Sequence, residues 1–163
     1  MKTRAIFAAI ILSMTAVTGL HAFGLGIQAN FITGSIFAPG AAVVISPTEK
    51  MHLAFNWYIN PDDKNIFGLT FDIRPIMIPL TAFRAGSLSF TLGIGFFATA
   101  EFADNTKFNG GLRVPVGFSF MMPGNALEIY THVAPSFGVS LLPSLNLYNP
   151  FFPIALGIRL WFR

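Results

Sequence analysis

The sequence predicts an all-β fold: one eight-stranded antiparallel transmembrane up-and-down β-barrel, preceded by a cleavable signal peptide. Three observations carry that prediction. The chain of 163 residues is 53% hydrophobic and only 10% charged, against about 25% charged in ordinary soluble domains. Beyond the first segment, Gly, Pro or polar residues break every apolar stretch, so no run of about twenty residues is left to form a membrane helix. What hydrophobicity remains alternates with period two, the pattern of a strand with two unlike faces, and it is spread along the chain as in a barrel.

The elements follow in chain order. Lys2 and Arg4 precede an apolar stretch from Ala5 to Met14, and small residues Thr18, Gly19 and Ala22 follow. This is the layout of a secretory signal peptide cut after Ala22. The organisation is therefore 1–22 signal peptide and 23–163 barrel, with an N-terminal membrane anchor as the competing reading of the first segment. Removing Lys2 and Arg4 leaves eight basic against seven acidic residues, a net charge of +1. Such a chain has no basic patch for nucleic acid. It has no cysteine, which excludes disulfides, thiolate metal sites and a lipid anchor on cysteine.

Segments about 24–33 and 39–46 alternate weakly. From there the faces separate. Leu53, Phe55, Trp57 and Ile59 oppose His52, Ala54, Asn56 and Tyr58. Phe67, Leu69, Phe71 and Ile73 oppose Gly68, Thr70, Asp72 and Arg74. Leu88, Phe90, Leu92, Ile94 and Phe96 oppose Ser89, Thr91, Gly93 and Gly95. Leu112, Val114, Val116, Phe118 and Phe120 oppose Arg113, Pro115, Gly117 and Ser119. The segment 127–133 carries Glu128, Tyr130 and His132 on its polar face, and Leu156, Ile158, Leu160 and Phe162 oppose Gly157, Arg159 and Trp161. Turn chemistry at 47–50, 60–65, 84–86, 103–111, 123–125 and 143–150 separates the segments. Eight strands of roughly ten residues suit a tilted crossing of the hydrocarbon layer.

A soluble, lipocalin-like ligand-binding barrel in the periplasm would show the same period. It would put charges on its wet outer face. Here one face of each clear strand is uncharged and bulky, and the other is Gly, Ser and Thr with a few opposed charges. That division suits lipid outside and the narrow, side-chain-filled lumen of eight strands inside. Asp72, Arg74, Glu101, Arg113, Glu128, His132 and Arg159 then face inward, as a mutually neutralising plug.

A lipid-modifying enzyme is the alternative use of those residues. Glu128, His132 and Ser136 share a parity, but i and i+4 along a strand lie about 13 Å apart, too far for a nucleophile beside its base. The expectation is no catalytic residue, no cofactor and no metal site; three scattered histidines and Gly93-Ile94-Gly95 are not motifs. A conducting pore is disfavoured because eight strands leave a filled lumen.

With the N-terminus in the periplasm, connections near 34–39, 60–65, 103–111 and 143–150 face outward. The polar stretch 101–109 is the candidate surface epitope, or simply a solvated turn. Trp57, Tyr58, Tyr148, Phe151, Phe152 and Trp161 lie near strand ends, where aromatic girdles sit.

The runs Gly111-Leu112-Arg113-Val114-Pro115-Val116-Gly117, Leu127-Glu128-Ile129-Tyr130 before Val133-Ala134-Pro135, and Gly157-Ile158-Arg159-Leu160-Trp161-Phe162 resemble a spirochaete family of small OmpA-like outer-membrane barrels. The resemblance is specific over about 108–163. It implies an eight-stranded outer-membrane surface protein, porin-like in build, without known catalysis; host-factor binding has been suggested for relatives. Gly157, Leu160 and Phe162 also resemble the assembly signal of such barrels, although Arg163 follows the aromatic. The expected partners are outer-membrane lipid, the barrel-assembly machinery and a host surface ligand.

Overall fold

The computed structural model describes residues 22–33, 38–59, 65–102 and 106–162. The signal peptide, apart from Ala22, and much of three connections fall outside the described residues.

The chain forms strands β1 (Phe23–Thr33), β2 (Ala38–Ser46), β3 (Met51–Ile59), β4 (Asn65–Phe83), β5 (Gly86–Phe102), β6 (Lys107–Arg113), β7 (Val116–Met121), β8 (Leu127–Val133), β9 (Ser136–Leu142) and β10 (Asn146–Phe162). They make one antiparallel sheet that closes on itself, β1 pairing with β10 from Phe23 opposite Phe162 to Thr33 opposite Phe152. Closure matters because hydrocarbon offers a strand edge no hydrogen-bond partner.

The described residues thus hold ten strand segments where eight strands were expected. β6 and β7 lie in succession along β5, and β8 and β9 in succession along β10. The two breaks are Val114-Pro115 and Ala134-Pro135, and they sit side by side, since β6 pairs with β9 and β7 with β8. Proline has no N–H for a ladder, so regular pairing stops there. Single hydrogen bonds carry the sheet across: Val114 N–H to Pro135 O at 3.0 Å, Gly93 N–H to Pro115 O at 2.9 Å and Ala134 N–H to Pro153 O at 2.8 Å.

Strand length also departs from the roughly ten residues expected. β4 has 19 residues, and β5 and β10 have 17 each. Pairing of β3 with β4 ends at Met51 opposite Ile73, and β4 then runs on with β5 alone. Strands of a barrel are tilted and staggered, so some hairpins reach further at one rim. The register shifts in this extension fall at Pro75 and beside Pro79, the bulge positions where proline is tolerated. Two expected connections shrink in turn, because β6 already begins at Lys107 and β10 at Asn146.

Turns follow residue chemistry. Gly86 closes the tight β4–β5 turn at φ +147, and a Cβ there would meet the Met121 backbone. Between β7 and β8, Pro123–Asn125 forms a short 3-10 turn with Gly124 at φ 80 and Asn125 at φ 55, positive angles that Gly and Asn tolerate.

The molecule is inside out relative to a soluble domain. Large apolar side chains such as Ile27, Phe55, Ile94, Leu112 and Leu156 stand exposed on the outer wall, while the buried set is dominated by polar and charged groups. Buried apolar clusters are small, Ala42 with Val44 and Ala54, and Ala38 with Tyr58 and Ile66. Among the described residues no helix is long and apolar enough to cross a membrane.

Candidate functional site: the barrel lumen

Period two decides which side chains enter the lumen. On β3, His52, Ala54, Asn56 and Tyr58 are buried while Phe55 and Trp57 are about half exposed. On β8 the buried set is Glu128, Tyr130 and His132, and on β10 it includes Gly157, Arg159 and Trp161. The structure buries all seven charged or titratable residues singled out above, each at 7% exposure or less.

Near the rim where Phe23 pairs with Phe162, Glu128 is the hub. Its Oε1 accepts from Ser119 Oγ at 2.6 Å. Its Oε2 accepts from Arg159 Nε at 2.9 Å, Arg159 Nη2 at 2.7 Å and Trp161 Nε1 at 2.7 Å. Arg159 also donates to Ser46 Oγ and stacks its guanidinium 4.9 Å from the Tyr130 ring and 4.7 Å from the Trp161 ring. Four strands, β2, β7, β8 and β10, therefore meet at one carboxylate–guanidinium pair. Charge-assisted, forked contacts of this kind are among the strong ones.

One layer further in, Arg113 Nε lies 3.1 Å from Asp72 Oδ1. The approach is off the N–H direction, so neither atom completes a hydrogen bond and charge attraction holds the pair. Arg113 Nη2 reaches His132 Nε2 at 3.1 Å. Arg74 Nη2 and Arg159 Nη1 each reach His52 Nδ1 at 3.4 Å. An arginine can only donate, so His52 Nδ1 and His132 Nε2 are the accepting nitrogens. The His52 ring also meets Tyr130 and His132 edge-on, with centroids 5.4 and 5.6 Å apart.

An amide ladder continues toward the far rim. Tyr130 OH donates to Gln28 Oε1 at 3.0 Å, Gln28 Nε2 to Asn30 Oδ1 at 2.7 Å, and Asn30 Nδ2 to Asn56 Oδ1 at 2.9 Å. Beyond it, Phe97 packs edge-on to Phe151 at 5.0 Å. Glu101 sits near that rim beside Lys107 Nζ at 3.9 Å, apart from the central charges.

The sequence pattern did not single out His52, Gln28, Asn30 or Trp161 as members of this network. His52 had a visible parity but no visible partner, because its partners come from β4, β8 and β10. Gln28 and Asn30 lie on the weakly alternating first strand, where the inward polar set was the available signal. The girdle assignment needs correction. Trp57 and Phe152 are exposed on the outer wall, but Tyr58, Phe151 and Trp161 are buried, because parity overrides nearness to a strand end. The epitope stretch also narrows: Glu101 and Asn109 point inward, Asn109 donating to Thr99 Oγ1 at 3.4 Å, while Lys107 and Phe108 are exposed.

The catalytic alternative finds no assembled triad among these side chains. Ser136 Oγ donates to Ala134 O at 2.7 Å, and His132 is engaged by Arg113. Among the described residues, no group of three His, Asp or Glu side chains could hold a metal ion.

No protein-family model matches the chain, and no curated protein matches it. The chain is similar in structure to Neisserial surface protein A (NspA), at 10% identity and a TM-score of 0.49, over 85% of this chain and 95% of that one. It is also similar to the N-terminal β-barrel domain of Pseudomonas aeruginosa OprF, at 12% identity and a TM-score of 0.53, over 85% of this chain and 97% of that domain. With the closed sheet and its apolar exterior, the likeness to OprF gives this chain the fold of an outer-membrane β-barrel.

Proposed function

We propose that the protein is a small outer-membrane barrel with a structural or surface-interaction role and no catalysis, its lumen plugged by paired charges. The observation that carries the reading is the inversion of the faces. The outer wall is a continuous apolar surface suited to lipid, and the charges are buried and tied across four strands. The partners in this reading are outer-membrane lipid, the assembly machinery that reads Gly157, Leu160 and Phe162, and a host surface ligand met by the outer loops.

Planar-bilayer recording tests the plug. The intact barrel is expected to pass no steady current, and removing Arg113 or Glu128 is expected to open a path. Steady conductance by the intact chain would instead make it a pore. The enzyme alternative has its own test: lipid A from cells expressing the chain is expected to be the same whether His52 and His132 are present or both replaced by Gln, and a difference would reinstate catalysis.

A further inference from the structure

The outer wall is hollowed between β10 and β3. Register sets Leu156, Ala29, Ala41 and Trp57 side by side across β10, β1, β2 and β3. The next row along the same strands is Ile158, Ile27, Val43 and Phe55. All eight side chains are exposed. Leu156 and Ile158 form one bank of a trough, Phe55 and Trp57 form the other, and the floor drops at the two alanines.

The trough has a volume of about 640 Å³, within the roughly 300–1,000 Å³ of small-molecule sites. Its lining is apolar apart from Gln28, and the Gln28 amide is turned inward to Tyr130 and Asn30. A polar ligand therefore meets no charge and no free side-chain donor or acceptor there. Ala29 stands well inside β1 (Phe23–Thr33), about 20 Å along the strand from Phe23 and about 13 Å from Thr33. That depth puts the trough within the apolar band, which is about 25 Å tall, and away from lipid headgroups.

The wall on every side of the trough already faces lipid, so hydrocarbon is what reaches it. A chain lying in the trough touches the floor and both banks, whereas a chain on the flat wall is touched from one side. Dispersion attraction grows with the number of such contacts. A second barrel fits the hollow less well, because two convex walls meet along a line and leave the floor uncovered.

Given the lipid-facing exterior of the proposed function, we infer that this trough holds the acyl chain of one membrane lipid. It holds that chain more firmly than the neighbouring wall holds its own lipid.

Native mass spectrometry of the chain purified from membranes in detergent reads this directly. After repeated detergent exchange the wild type is expected to keep one lipid, whose mass distinguishes a phospholipid from lipid A. Ala29→Leu with Ala41→Leu fills the floor and is expected to cut the lipid-bound fraction about tenfold, the worth of roughly ten lost contacts. Ala98→Leu, on the outward parity of β5 away from the trough, is expected to leave that fraction unchanged. No lipid on the wild type, or equal retention in the leucine double variant, would overturn the inference. A wild-type dimer that the double variant breaks up would overturn it too, with a second copy as the occupant. The mobility shift on boiling checks that the double variant is folded; if it is not, Ala41→Leu alone gives the same comparison. A folded barrel without lipid sinks this inference alone, whereas a wild type soluble without detergent sinks the proposed function with it.

Discussion

The Glu128–Arg159 pair concentrates the consequences of the fold at the residue scale. Burying two charges costs several kcal/mol per ion before pairing, and removing one partner strands the other at about 3–5 kcal/mol. Glu128→Gln keeps the volume but removes the charge that Arg159 and Trp161 donate to. It is expected to lower the urea midpoint of the detergent-folded barrel by an amount in that range. The double variant Glu128→Leu with Arg159→Met is expected to lose less than Glu128→Gln alone, because no charge is left unpaired; equal or greater loss in the double variant would mean that packing, not charge, dominates the hub. Much of this scale was legible in the sequence, since period two alone put Glu128, Arg159 and Asp72 on inward faces. Pairing was not legible. Glu128 and Arg159 are 31 residues apart and Arg159 and Ser46 are 113 apart, and only strand register brings them together.

Register explains a position that admits two readings at the element scale. Gly157 fits an assembly signal by spacing, yet it also lies opposite Tyr130 in the β8–β10 ladder, and a Cβ on it would overlap the Tyr130 phenol. Gly157→Ala is expected to destabilise the refolded barrel by about 1–3 kcal/mol, as overpacking does, and Tyr130→Leu in the same chain is expected to recover part of the loss. Refolding in detergent contains no assembly machinery. An unchanged midpoint there, with poor assembly in cells, would leave Gly157 as a signal only. Outward positions on the same strands respond to a different rule. Leu156→Arg, at an exposed position of β10, is expected to cost about 2–4 kcal/mol at the bilayer midplane in refolding into lipid vesicles. Thr81→Arg, on the stretch of β4 beyond β3, is expected to cost about 1 kcal/mol or less, as near an interface. Strand existence was readable from alternation. Strand length was not, because the stagger of a closed barrel is a property of all strands together, and the breaks at Pro115 and Pro135 depend on two prolines from different strands meeting side by side.

At the scale of the whole molecule, closure and the direction of the two faces decide how the barrel behaves. Composition foretold both: low charge overall, and charges confined to one parity. What composition could not supply is the seam, where the first strand, weak in its own alternation, pairs along its full length with the last. A closed sheet with a lipid-facing exterior resists detergent while folded and keeps a compact shape on a denaturing gel. The direct test is therefore the mobility of the detergent-folded chain before and after boiling, with a β-rich circular-dichroism spectrum as companion. A clear shift on boiling is expected, with retention of the unshifted form in detergent at room temperature. Identical mobility before and after boiling, in a chain that stays soluble with no detergent, would contradict it and place the apolar face inside.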